Sequence, residues 1–199
     1  MSSTGDTHQP PNLMMPAAEA DHVREILEGA SVVLEYGSGG STVLAAEHAQ
    51  RVMSVESDAR WVALVRKWFE VHPPHAEVSL HHVDIGPTGP FGRPTDPTTC
   101  GRWPRYPTAI WDASEFVEPD VVLIDGRFRL ACFVTVALRC RRPVRVLWDD
   151  YDNRPHYHRA SELASPTRVI GRLAEFHLVP TALPRRHLTW MVESFVDER

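Results

Sequence analysis

Two rhythms of apolar and polar residues alternate along the chain. Short runs of branched apolar residues, each closed by an acid, are separated by stretches in which apolar residues recur every three or four positions. Ala17 to Glu28 puts Ala20, Val23, Ile26 and Leu27 on one helical face and stops at Gly29. Val32-Val33-Leu34 follows as a buried strand ending at Glu35, and Val43 to His48 as a helical run. Arg51 to Val55 is a short strand ending at Glu56. Ser57 or Asp58 then caps a helix reaching about His72, with Trp61, Leu64, Val65 and Trp68 on one face and Pro73-Pro74 beyond it. Val78 to Val83 is a third strand, ending at Asp84.

The rhythm lapses between Gly86 and Pro107, a stretch with six prolines and four glycines. A long aperiodic stretch inside a compact domain is usually functional or disordered. Phe91, Trp103 and Tyr106 favour function, and the stretch is expected to be a mobile loop that covers a substrate. The rhythm then resumes with a short helix from Thr108 to Phe116 and a strand, Val121 to Ile124, ending at Asp125. A helix from Phe128 to Arg139 leads to a strand, Val144 to Trp148, ending at Asp149-Asp150. Tyr157 to Ala164 reads as a helix, and Val169 to Val179 and Leu188 to Val196 read as two final strands. Strand–helix alternation of this kind predicts an α/β fold, a doubly wound and mostly parallel sheet of seven strands. Residues 1–13 are polar and read as a disordered leader, leaving 14–199 as a single domain.

In such sheets ligands lie beyond the carboxyl ends of the strands. Glu35, Glu56, Asp84, Asp125 and Asp149-Asp150 end five successive strands, so the acids gather on one edge. The loop Glu35-Tyr36-Gly37-Ser38-Gly39-Gly40-Ser41-Thr42 lets backbone approach a ligand, with free helix amides behind it. A dinucleotide fingerprint would carry a third glycine where Thr42 stands, and Glu35 would repel a pyrophosphate. An acid there suits a cationic ligand better.

An acid followed by Gly-x-Gly resembles the first motif of the class I S-adenosylmethionine-dependent methyltransferases, and the resemblance runs from about Leu27 to Asp150. It implies a cofactor cradle at Glu35, Gly37, Ser38, Gly39 and Thr42, and an adenine position at Asp84-Ile85. It also implies an antiparallel C-terminal end to the sheet. Glu56, 19 residues past Gly37, is placed to accept ribose hydroxyls, as in nucleotide folds generally. Asp125 with Asp149 and Asp150 resembles the acid set with which macrocin-type and catechol-type O-methyltransferases hold magnesium, which implies a metal that activates a substrate oxygen. Arg127 follows Gly126 where the macrocin type tends to carry an acid. Arg127, Arg129 and Arg154 offer a rival way to neutralise the same carboxylates. Asp125, Asp150 and His158, the last as general base, complete the expected catalytic set.

A net charge of −5 gives no basic field for nucleic acid or an anionic membrane. Cys100, Cys132 and Cys140 lack metal-ligand spacing and fit a reducing cytoplasm. No signal peptide or membrane-length apolar run is visible. The expected protein is therefore a cytoplasmic methyltransferase acting on a small molecule, at oxygen. A cofactor-binding module without catalysis and a nucleotide-dependent oxidoreductase are the alternatives.

Overall fold

Seven strands form one sheet in the order β3-β2-β1-β4-β5-β7-β6. They are β1 (Val32–Tyr36), β2 (Arg51–Glu56), β3 (Glu77–His82), β4 (Val121–Ile124), β5 (Val144–Trp148), β6 (Arg168–Ile170) and β7 (Leu173–Leu178). The first five are parallel, and β7 runs antiparallel to both β5 and β6. The computed structural model describes residues 10–182 and 184–198. No helix among them is long and apolar enough to cross a membrane.

Strand alternation divides the core in two. Val33, Val52 and Leu123 pack with α1 (Ala17–Leu27) and α2 (Gly40–His48) on one face. Leu34, Tyr36, Val146 and Trp148 face the other way, against α5 (Arg129–Arg139) and against Trp103 and Tyr106. Consecutive strands cross from β1 to β4 at the middle of the sheet, and the acids that end these strands rise around that point.

Several elements differ from the sequence reading. Leu188 to Val196 is not a strand: α6 (Leu188–Ser194) buries Trp190, Met191 and Ser194, a helical spacing. The last two strands are instead a hairpin, β6 and β7, within the run expected to be one strand. Gly171 and Arg172 separate them, and Gly171 has φ +56°. A 3-10 helix, Pro155–Glu162, replaces the expected α-helix from Tyr157. On α3 (Ala59–Val71) only Val62 and Val65 are buried, and Trp61 and Leu64 lie at the surface.

The stretch 86–107 is also more built than expected. It forms 3-10 turns at Pro90–Gly92 and Pro97–Arg102 and a short helix, α4 (Arg105–Thr108). Trp103 and Tyr106 are 4% and 0% exposed, so their side chains belong to the core. Phe91 alone stands out at the tip, 89% exposed and with φ 58°. The leader reading falls outside the described residues for 1–9. Of the rest, Asn12 and Leu13 lie against the start of α2, where a Cβ on Gly40 would come within 2.5 Å of the Leu13 nitrogen.

Candidate active site at the sheet crossover

Gly37 and Gly126 follow β1 and β4 and touch across the crossover. A Cβ on Gly37 would lie 2.6 Å from Gly126 Cα, and Gly37 has φ +102°, which disfavours any side chain. A Cβ on Gly126 would meet the Tyr106 hydroxyl at 2.1 Å. Tyr106 therefore fills the space between the two loops. Its hydroxyl lies 3.4 Å from both the Val55 carbonyl oxygen and the Arg127 amide.

Glu35 sits beneath this mouth rather than in it. It shares the β1 face of Val33, is fully buried, and accepts hydrogen bonds from the Ser41, Thr42 and Ser54 hydroxyls, each at 2.5 Å. Thr42 Oγ1 also accepts from the Gly39 amide at 2.7 Å. Glu35 thus ties the glycine loop to the first turn of α2 and to β2. Burial pushes its carboxyl up from 4.5 to about 7, against the pull of the three hydroxyls. The charge argument that put Glu35 against a cationic ligand does not describe its position; the carboxyl shapes the loop from behind.

Glu56 lies closer to the mouth. Its Oε1 accepts from the Ser57 and Asp58 amides at 2.6 and 2.9 Å, while Oε2 has one longer bond, 3.2 Å from the Ser38 amide. Burial raises its pKa and these amides hold it down. The stretch after β3 covers it: Ser57 Oγ donates to the Gly92 carbonyl oxygen at 3.1 Å, and a Cβ on Gly92 would lie 3.1 Å from Glu56 Oε1. Asp84 is exposed, accepting from the Gly86 amide at 2.9 Å and from Arg102 at 3.0 Å. Ile85 is fully buried beside it.

Asp125, Asp149 and Asp150 do come together, each offering a carboxylate oxygen within 4.8 Å of the others. Each is already paired. Arg129, 4% exposed, reaches Asp125 at 2.9 Å and Asp150 at 3.3 Å, and donates to the Asp149 carbonyl oxygen at 2.6 Å. Arg154 holds Asp150 at 2.6 Å. Arg172 spans Asp149 at 2.9 and 3.1 Å and Asp150 at 3.0 Å. Three guanidinium groups among three carboxylates compensate the charge a divalent ion would bring, and they engage both oxygens of Asp149 and Asp150 and one of Asp125. As arranged here, the set does not fit a magnesium ion. Arg129 and Arg154 were the rival partners visible in the sequence; Arg127 does not take that part. Arg172 was not anticipated, because only the β6–β7 turn brings it under the acids.

His158 is exposed, and its Nε2 lies 3.1 Å from the carbonyl oxygens of both Tyr151 and Asp152. Carbonyl oxygens only accept, so this nitrogen carries the proton and holds the turn. Nδ1 is then the acceptor nitrogen of the ring.

Comparison with known proteins decides the family. A methyltransferase-like protein from Silicibacter pomeroyi is 43% identical, and the match covers 94% of this chain and 98% of that one with a TM-score of 0.90. The chain belongs to the class I S-adenosylmethionine-dependent methyltransferase superfamily. More distant members share the fold. An O-methyltransferase from Bacillus cereus in complex with SAH is 15% identical, covers 85% of this chain and 84% of its own, and has a TM-score of 0.61. TomG from Streptomyces achromogenes, an O-methyltransferase in complex with SAM, is 16% identical over 86% and 83%, also at 0.61. No family model and no curated protein matches the chain. The crossover of this methyltransferase fold thus lies between Gly37 and Gly126, with Glu56 and the arginine-paired acids on either side.

Proposed function

We propose that the protein is an S-adenosylmethionine-dependent methyltransferase that acts on an oxygen of a small molecule and takes no metal at Asp125, Asp149 and Asp150. The observation that carries this reading is the pairing of a glycine cradle without room for a Cβ with Glu56, whose Oε2 keeps a single long bond at the mouth. In the proposal, Gly37, Ser38 and Gly39 present backbone to the cofactor, Glu56 accepts from its ribose, and Asp84 and Ile85 border the adenine. Glu35 and Thr42 hold the loop in shape. Segment 86–107 and Tyr106 move aside to admit the cofactor.

The bound cofactor supplies an electrophilic methyl group. The protein's part is to align the acceptor, exclude water and take a proton. Once the cofactor has entered, segment 86–107 closes back, and Trp103 and Tyr106 provide the apolar wall that excludes water. Asp125 is the carboxylate placed to take the acceptor proton, since its side chain is 37% exposed while Arg129 fixes its other edge. Arg129, Arg154 and Arg172 hold Asp149 and Asp150 in place behind it.

Calorimetry with S-adenosylhomocysteine and NAD tests the cofactor. The product analogue should bind, and Glu56→Gln should weaken it by about tenfold or more, the value of a hydrogen bond to a charged group. Binding of NAD in its place would sink the reading.

A further inference from the structure

Among the described residues, three buried polar atoms at the carboxyl ends of β4 and β5 have no hydrogen-bond partner: Arg127 Nε, Trp148 Nε1 and the Tyr157 hydroxyl. Trp148 is the last residue of β5 and 0% exposed. Tyr157, 1% exposed, comes from the 3-10 helix that follows β5, and its ring centroid lies 5.1 Å from that of Trp148. Arg127 stands two residues past Asp125, and its Cγ lies 3.9 Å from the position a Cβ would take on Gly92. That glycine belongs to the segment covering Glu56, so Arg127 borders the proposed cofactor mouth.

Two of the three atoms only donate, and the third, the Tyr157 hydroxyl, can donate or accept. Guanidinium and indole nitrogens donate and cannot accept, so neither can satisfy the other, and buried donors are rarely left unpaired. The surroundings are positive as well. The Arg154 Cζ lies 6.0 Å from the centre of the Tyr157 ring, and Arg129 lies buried at the start of α5. Arg129 and Arg154 are committed to Asp125 and Asp150. Burial and the neighbouring Arg129 push the Arg127 guanidinium below its usual value, as expected for a cation short of an anion. Trp148, Tyr151 and Phe176 supply flat apolar surface around Tyr157 and Trp148.

We infer that Arg127, Tyr157 and Trp148 form the recognition site for a carboxylate carried by the methyl acceptor. The inference rests on the methyltransferase reading of the neighbouring mouth. A carboxylate brings two acceptor oxygens and one negative charge, which matches a guanidinium donor beside a hydroxyl and an indole N–H. A neutral acceptor would satisfy the donors but leave the Arg127 charge uncompensated.

The test uses benzoate as the probe and its uncharged counterpart benzamide as the control, with tryptophan fluorescence of the full chain as the readout. Benzoate should bind saturably and benzamide about tenfold more weakly or worse. Tyr157→Phe, which removes one oxygen and keeps the ring, should lose about tenfold in benzoate affinity, and Arg127→Gln should lose at least as much. Absence of saturable benzoate binding, or an unchanged affinity in folded Tyr157→Phe protein, would overturn the assignment. S-adenosylhomocysteine calorimetry on the same preparations separates the two readings. Analogue binding without benzoate binding rejects the carboxylate site alone. Benzoate binding without analogue binding supports the carboxylate site and rejects the cofactor assignment.

Discussion

Replacing Glu35 with glutamine should change how the stability of the protein depends on pH. Glu35 is fully buried and surrounded by three hydroxyl donors. Burial favours the neutral acid, the hydroxyls favour the carboxylate, and burial prevails: the pKa rises from 4.5 to about 7. A raised acid pKa means that the folded state holds the proton more tightly than the unfolded chain. The stabilisation from this group is therefore complete below the unfolded value and is lost as pH rises through the folded one. The displacement corresponds to about 3 kcal/mol in all, of which about 2 to 3 kcal/mol falls between pH 5 and pH 8. Glutamine has the same size, accepts from hydroxyls through its amide oxygen, and does not titrate. The stability of the wild type relative to Glu35→Gln should thus fall by that amount from pH 5 to pH 8, read from urea unfolding at each pH. Glu56 and Asp125 also have raised pKa values, but they are present in both proteins and cancel to first order. A difference that stays constant across this range, or one that grows in favour of the wild type as pH rises, would refute the reasoning. The second result would mean that the hydroxyls outweigh burial.

Magnesium at about ten times its cellular level should leave the melting temperature unchanged, because Arg129, Arg154 and Arg172 already compensate the acids; a rise that Asp150→Asn abolishes would restore the metal. Arg129→Met should destabilise the fold by about 3 to 5 kcal/mol in denaturant unfolding, since it strands carboxylates around a buried cation's place; a loss under about 1 kcal/mol would show that water already screens them. Gly37→Ala should destabilise by at least about 1 to 3 kcal/mol from backbone strain alone, with the clash against Gly126 adding to it; calorimetric unfolding within error of the wild type would mean that the two loops are not in contact.

The sheet was legible because its strands are short apolar runs closed by acids, and because helix and strand periods are clean from Ala17 to Asp84 and from Val121 to Trp148. The C-terminal part was not. Leu188 to Val196 is too short for periodicity to separate a helix from a strand, and tertiary packing of Trp190 and Met191 settles it. The gathering of Asp125, Asp149 and Asp150 could be read from strand ends alone. Their partners could be read only in part: Arg129 and Arg154 are i,i+4 neighbours of Asp125 and Asp150, whereas Arg172 arrives through a hairpin turn. The burial of Glu35 under Thr42 and Ser41 was likewise implicit in strand alternation, because Glu35 shares its face with Val33, but the charge argument looked past it. In the 86–107 stretch, Trp103 and Tyr106 belong to the core. Their depth in the core had no local signature.

The turn between β6 and β7 also sets an order of assembly. Gly171 packs so closely on Glu19 that a Cβ there would come within 2.0 Å of its carboxylate, and Arg172 joins Glu19, the Met14 carbonyl oxygen and Asp149. His22 and Glu175 meet at 2.9 Å beside it, across 153 residues of chain. Helix α1 and the β6–β7 hairpin are thus one structural knot, and it closes only when segments 153 residues apart have met. Without that closure the Asp149 carboxylate lacks the Arg172 guanidinium, while Arg129 and Arg154 still hold Asp125 and Asp150. Closure of contacts this distant in sequence is slow. A molecule in which this knot has not closed carries the Asp149 carboxylate without its partner, and is the form most open to chaperones and proteases.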